Sequence, residues 1–384
     1  MSLGDFSGGF PFTTKAELAA DQLAHPPFGS NFCEPIERFT RLHQTSGTSG
    51  APLRWLDTPA SWQWVVDTWG FIHRVSGVTA DDRIFFAFSF GPFIGFWSAF
   101  EAAEKMGALC IPGGGMSSVA RLRAILDLGA TVLCCTPTYA LHLGEIAAKE
   151  NIDLNKSQVR VILVAGEPGG SLPATRARLE SLWPGARVAD HHGMTETGPV
   201  TYQCSARPGV LHVVETSFLP EVIDPASGRQ LDAGESGELV LTPLGRLGMP
   251  LLRYRTGDLV RTAREAVCQC GSSDLALEGG ILGRADDMVI VRGVNVYPGA
   301  VDQIVRQAGG VAEYRVHLME VNSMVELRIE VEPYAWCQDG QALSHQVESA
   351  LQSALNLRIP VAATHPGALP RYEMKAQRWV RSPS

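Results

Sequence analysis

The sequence predicts an α/β fold: a large N-terminal domain with parallel sheets flanked by helices plus a small β-rich subdomain, then a small α+β C-terminal domain. Three observations carry this. From about residue 60, helical periods alternate with apolar runs of strand length. Those runs are continuously apolar, as strands covered on both faces must be. The texture then changes twice, to short strands and turns after residue 200 and to helix, two strands and helix after about residue 286.

Taken in order, Trp62, Val65, Val66, Trp69 and Ile72 recur at helical spacing, and RIFFAF (83–88) follows as a buried strand. VARLRAILDLG (119–129) reads as a helix stopped by Gly129, a suitable C-cap. TVLCCT (131–136), VRVILVAG (159–166) and ARVAD (186–190) are strands, separated by helices over 139–150 and 172–183. GELVLTPL and LLRYRTGDLVRTA are strands of the β-rich part, about 200–280. Near the end, YPGAVDQIVRQAGG and QALSHQVESALQSALN are helices, and EYRVHLMEVNSMVELRIEVEP is two strands hinged at Asn322-Ser323. The boundary is placed in GRADD, giving domains of 1–285 and 286–384.

A chain of 384 residues, 45% apolar, can bury two cores. A net charge of −8 argues against a general nucleic-acid or anionic-membrane surface, so neither partner is expected. The opening MSLGDFSGGF lacks the layout of a secretory signal. Ile84–Phe100 is uncharged but broken by Gly91, Pro92 and Gly95, and reads as strand plus loop rather than a membrane span. Eight scattered cysteines fit reduced thiols and a cytoplasmic location.

Parallel sheets bind ligands at the carboxyl ends of their strands, which directs attention to GEPGG (166–170) and HHGMTETG (191–198). A further run, TSGTSG (45–50), sets hydroxyls among glycines, so that backbone N–H groups and side chains can converge on an anion. It lacks the Gly-Lys-Ser/Thr ending of a Walker loop, and alone it also suits a solvated turn. Glu196 is a lone carboxylate able to hold Mg²⁺ beside phosphate. Asp258 follows a strand and suits ribose hydroxyls. GRADDMVIVRGVNVYP supplies Arg284 and the pair Arg292-Gly293, and LPRYEMKAQRW supplies Lys375.

In this order, PFTTKAEL, TSGTSG, GEP, GMTETGP, LLRYRTGDL and GRADDMVIVRGVNVYP resemble the adenylate-forming superfamily of acyl-CoA synthetases and adenylation domains, in its phenylacetate-CoA ligase branch. The resemblance implies roles. Thr45, Ser46, Gly47, Thr48, Ser49 and Gly50 would cradle the ATP phosphates. Glu167, Pro168, His192, Gly193 and Met194 would line the AMP site. Thr195 would contact the α-phosphate, Glu196 would hold Mg²⁺, and Asp258 and Arg284 would hold the ribose. Asp286 would be a hinge about which a mobile C-terminal domain turns. Lys375 would bridge the reacting carboxylate and phosphate, and Arg292 and Gly293 would form the thiol-transfer face. Phe88, Phe90, Phe93, Tyr139 and Gly166 would line an acyl pocket suited to a flat aromatic acid.

The implied reaction activates a small carboxylic acid with ATP and passes the acyl group to coenzyme A. Loading of an acyl carrier protein and a non-catalytic nucleotide-binding role are the alternatives, and a homodimer is left open. Two departures stand out: Ala51 where relatives carry Lys, and His192 where they carry Tyr. Separately, Cys204, His212, Cys268 and Cys270 form a Cys₃His set in the turn-rich region, suited to structural Zn²⁺ with no open position for catalysis.

Overall fold

The structure is a computed structural model describing residues 3–45, 52–285, 287–292, 294–321, 324–372 and 376–381. The chain starts with helices α1 (Leu3–Gly9) and α2 (Lys15–Ala24), the second opened by a Thr14–Glu17 capping box. An antiparallel hairpin follows, β1 (Arg41–Gln44) against β2 (Arg54–Asp57), with Gln44 opposite Arg54. Thr45 and Leu53 close its tip: the Thr45 N–H donates to the Leu53 carbonyl, and the Leu53 N–H to Thr45 Oγ1.

Helix α3 (Pro59–Val75) leads into the central layer. It comprises β3 (Arg83–Phe86), α4 (Ile94–Met106), β4 (Leu109–Pro112), α5 (Ser118–Asp127), β5 (Val132–Cys135), α6 (Pro137–Lys149), β6 (Val161–Val164), α7 (Pro173–Leu182) and β7 (Arg187–Asp190). The five strands form one parallel sheet in the order β4-β3-β5-β6-β7. Their side chains alternate between two cores. Ile84, Phe86, Val132, Cys134, Val161 and Leu163 enter one; Phe85, Leu133, Cys135, Ile162 and Val164 enter the other. Burial on both faces is why these strands read as unbroken apolar runs.

The sequence reading treats 84–100 as strand plus loop, whereas α4 begins at Ile94 and β4 follows it. Gly95 and the dense aromatics hide the helical period. β4 sits at the sheet edge with half-buried and exposed side chains, so it carries no apolar run. No helix among the described residues is long and apolar enough to cross a membrane.

Beyond a two-residue hairpin, β8 (Gly193–Met194) with β9 (Gly198–Pro199), the chain turns antiparallel. β10 (Thr201–Gln203), β11 (Val210–Val213) and, later, β15 (Ala276–Glu278) make a three-stranded sheet. β12 (Phe218–Ile223), β13 (Ser236–Pro243), β14 (Tyr254–Arg261) and β16 (Gly283–Arg284) make a four-stranded one. The next hairpin, β17 (Val289–Val291) with β18 (Val294–Val296), packs with α8 (Pro298–Gln307) and the long strands β19 (Val311–Val321) and β20 (Met324–Pro333). α9 (Gly340–Leu355), β21 (Val361–Ala363) and β22 (Trp379–Arg381) complete this unit, whose sheet order is β21-β20-β19-β22.

Candidate active site

Glu196 lies in the tight turn between β8 and β9, closed by Gly198 at φ +92°. Its carboxylate is 4% exposed. Oε1 accepts a hydrogen bond from the Tyr254 hydroxyl at 3.2 Å and faces Lys15 Nζ at 3.4 Å. From behind, Arg246 donates one nitrogen to the carbonyls of Thr195 (2.6 Å) and Glu196 (3.2 Å). Its other nitrogens form a bidentate, fully buried pair with Asp57 at 2.7 and 2.6 Å. Burial alone would raise the Asp57 carboxyl, but the Arg246 guanidinium, with His43 adding to it, holds it below the ordinary value. Asp57 ends β2, so a single guanidinium ties the TSGTSG hairpin to the Glu196 turn. Of that hairpin's tip, Ser46, Gly47, Thr48, Ser49, Gly50 and Ala51 lie outside the described residues.

Asp258, on β14, stands opposite Arg284 in the ladder, with Nη1 at 3.3 Å from Oδ1. His192 Nε2 is 3.1 Å from Asp258 Oδ2, yet out of line for a hydrogen bond, and both atoms are buried without a hydrogen-bond partner. The imidazole therefore faces the Asp258 carboxylate. Gly193 and Met194 form β8 beside it, and Met194 packs on the core that holds Tyr254.

The GEPGG loop leaves β6 at Gly166, whose φ of +93° favours glycine. Glu167 accepts the Thr138 N–H at one oxygen and the Ala376 N–H at the other, each at 2.9 Å. A Cβ at Gly170 would meet Asp190 at 2.5 Å, so the loop lies flat on the end of β7. There Asp190 accepts from Ser171 Oγ, and burial pushes its carboxyl up to about 6. Lys375 lies outside the described residues, but chain on both sides of it is pinned to α6. Arg371 pairs with Glu145 at 3.1 Å, and Arg378 donates to Thr138 Oγ1 at 3.3 Å.

Phe88 stacks on Phe96 at 4.1 Å and meets Phe90 edge-on, while Phe93 contacts Phe96. Tyr139 is not in that group. Its fully buried ring belongs to the core on the other face of the sheet, with the Arg121 guanidinium 5.0 Å from its centroid. Arg292 pairs with Glu326 in the small unit, away from the Glu196 turn; Asp286 and Gly293 lie outside the described residues.

Cys204, His212, Cys268 and Cys270 come together with ligand atoms all within 4.8 Å of one another. Cys204 and Cys268 sulfurs are 3.6 Å apart, and Cys270 Sγ is 3.4 Å from His212 Nε2. A tetrahedron with Zn–S bonds of about 2.3 Å has edges of about 3.8 Å, close to these spacings. The His212 Nδ1 proton goes to the Asp274 carbonyl at 2.9 Å, leaving Nε2 for a metal. Burial works to raise the Cys268 thiol, but the Cys270 backbone N–H and neighbouring side chains pull it down to about 6.

Sequence reasoning assigned no role to Lys15, Asp57, Arg246 or Tyr254. Lys15 and Tyr254 sit inside quoted motifs, so their position was a signal. Asp57 and Arg246 are 189 residues apart with no local pattern to join them.

The AMP-binding enzyme family model matches residues 41–243, and the AMP-binding enzyme C-terminal domain model matches 293–381. A phenylacetate-coenzyme A ligase of Aromatoleum evansii is 31% identical over 99% of this chain and 85% of its own length. That of Pseudomonas putida is 31% identical over 96% and 82%. Among solved structures, 2-hydroxyisobutyryl-CoA ligase with 2-HIB-AMP in the postadenylation state gives a TM-score of 0.92 at 28% identity, covering 99% of this chain and 82% of that one. The same ligase with CoA in the thioesterification state gives 0.72 at 29% identity, covering 100% and 82%. The whole-chain arrangement thus follows the postadenylation structure more closely. With a family model spanning more than half of the chain and a relative 31% identical over 99% of it, the chain belongs to the AMP-binding enzyme family.

Proposed function

We propose that this protein uses ATP to convert a carboxylic acid to its acyl-adenylate with release of pyrophosphate, then transfers the acyl group to coenzyme A. The observation that carries the reading is the Glu196 turn, where a buried carboxylate is held by Tyr254 and Lys15 and is tied through Arg246 to Asp57 at the base of the TSGTSG hairpin. A carboxylate is a poor acyl donor, because resonance and charge repel nucleophiles. Attack of its oxygen on the α-phosphorus forms the mixed anhydride and expels pyrophosphate; a thiol then attacks the acyl carbon, breaking the acyl–phosphate bond and releasing AMP.

The residues divide this work. Asp258 Oδ2, buried without a hydrogen-bond partner, would accept from a ribose hydroxyl, with Arg284 holding its other oxygen. Glu196, together with phosphate oxygens, fits Mg²⁺, which binds through one or two carboxylates plus phosphate and supplies charge neutralisation. Lys375 would bridge the acid and the α-phosphate during adenylation. Phe88, Phe90, Phe93 and Phe96 offer apolar ring surface, and an aromatic acid is the favoured substrate.

For the thiol step, the unit from Asp286 onward would rotate and bring Arg292 and Gly293 forward. The Arg371–Glu145 and Arg378–Thr138 contacts would release as it does. Partly exposed contacts of this kind are worth about 1 kcal/mol each, a small barrier to rotation. The Cys₃His cluster would hold Zn²⁺ as a structural staple, since all four positions come from the protein.

The test is exchange of labelled pyrophosphate into ATP across aromatic and aliphatic acids, followed by assay of CoA thioester. Acid-dependent exchange with a CoA-dependent product is expected. Exchange without a CoA product would move the acceptor to a carrier protein, and no exchange across the panel would end the enzymatic reading. Lys375→Ala should lower exchange at least about a hundredfold while leaving thioester formation from preformed acyl-adenylate within about threefold. Equal losses would remove Lys375 from the first half-reaction.

A further inference from the structure

We propose that Lys15 is a polyphosphate-binding residue of this cleft, engaging the β,γ-phosphate end of ATP; the inference rests on the nucleotide reading above and deepens it. The lysine stands where the chain is firmly held. Thr13 forms a strand-like bridge with Tyr254: its N–H donates to the Arg253 carbonyl at 3.1 Å, and its own carbonyl accepts from the Arg255 N–H at 2.9 Å. Thr13 Oγ1 donates to the Leu252 carbonyl at 2.8 Å. One residue on, Thr14 caps α2, and Leu18 on the next turn is buried with Leu53, Trp55 and Tyr254. The backbone of Lys15 is thereby fixed against both the base of the TSGTSG hairpin and the strand that supports Glu196.

Its side chain points into the cleft. Nζ lies 3.4 Å from Glu196 Oε1, the oxygen that Tyr254 also reaches, but the lysine is 45% exposed where Glu196 is 4%. The ammonium therefore sits at the mouth, between the carboxylate and solvent. The other described cations nearby are already committed to structural partners: Arg246 to Asp57, Arg253 to Glu221, Arg255 to Glu238 and Arg284 to Asp258. Among the described residues, Lys15 has Glu196 as its only ion-pair partner.

A buried carboxylate at a site that receives a triphosphate adds repulsion unless mobile positive charge lies between the two. A lysine is a compact charge on a flexible stem, so it can shift from carboxylate to phosphate oxygen without backbone movement. The hairpin itself carries Ala51 and no cation from Thr45 to Leu53. Lys15 is the group placed to supply one from outside it.

Equilibrium binding of ATP, AMP and inorganic tripolyphosphate to the full chain tests this, with Lys15→Ala, Lys15→Met and Lys15→Arg beside the unaltered protein. Lys15→Ala and Lys15→Met should each weaken ATP and tripolyphosphate about tenfold and AMP less than twofold. Lys15→Arg should recover most of the loss, and thermal midpoints should stay within a few degrees. Unchanged ATP affinity overturns the inference, and so does equal weakening of ATP and AMP, which would make Lys15 a mere support for the Glu196 turn. If the unaltered chain binds neither nucleotide, the nucleotide reading falls and this inference with it. If Lys15→Ala does not fold, Lys15→Met and Lys15→Arg decide.

Discussion

The Cys₃His cluster and the Glu196 cleft are both assembled from residues far apart along the chain, and they finish differently. In the cluster, donor atoms from β11, the end of β10 and the Cys268–Cys270 turn all lie within 4.8 Å of one another, four in number, as a closed tetrahedral site requires. In the cleft, the supporting groups point away from the centre: Arg246 braces the turn through its carbonyls, and Asp57 braces Arg246. Glu196 keeps only the Tyr254 hydroxyl and the half-exposed Lys15 on its carboxylate, and one oxygen of Asp258 stays without a hydrogen bond. Saturating its own donors makes a site a staple, whereas holding a few groups from behind makes a site that can receive something.

The largest expected effect falls on the cleft. Glu196→Gln should lower pyrophosphate exchange about a thousandfold, the scale of losing a charge-stabilising group, with thermal midpoint and bound metal unchanged. Retention of exchange within about threefold would move the chemistry elsewhere and dissolve the contrast. The cluster should answer in the opposite way. Cys270→Ser should abolish bound zinc in elemental analysis and lower unfolding free energy by about 3 kcal/mol, while turnover per folded molecule stays within about threefold. Metal-free protein of equal stability as purified would retire the staple.

A smaller effect sharpens the comparison through acid. His73 and His191 lie behind the cleft against Trp69, where burial lowers their imidazoles to about 4 and about 3. Both are held neutral in the fold. The stability they contribute is present above the ordinary value near 6.5 and is lost progressively as pH falls from there towards the depressed values. Urea unfolding between pH 7 and pH 5 should show about 2 kcal/mol lost for each histidine. His191→Gln should remove about half of that slope. An unaltered slope in that variant would show that protonation elsewhere, with the cysteines of the cluster as first suspects, sets the acid sensitivity.

Much of this was readable beforehand. Strands such as VRVILVAG and TVLCCT are apolar throughout because each alternate residue enters a core, and helices such as 139–150 carry their own period. The cysteines and His212 were also legible, since few residue types bind zinc and these cluster in one texture of the chain. α4 and β4 were not legible, because an aromatic-rich helix start and an edge strand lack the patterns that burial imposes. The resemblance groups Tyr139 with the phenylalanines, but its place in the first turn of α6 puts the ring in the core on the opposite face of the sheet. That His192 Nε2 would lie 3.1 Å from Asp258 Oδ2 had no local signal, since 66 positions of chain separate the two.

The residues by themselves determined the local elements, the order of the loops and which of them could carry phosphate, ribose or metal chemistry. These follow from side-chain pattern and backbone freedom, which are properties of short stretches. Only the tertiary structure decided that Asp57 would hold Arg246, that Thr13 would lie along Tyr254 and that Lys15 would therefore face Glu196. Such pairings depend on where whole sheets and helices come to rest, and no neighbour in the chain encodes that distance.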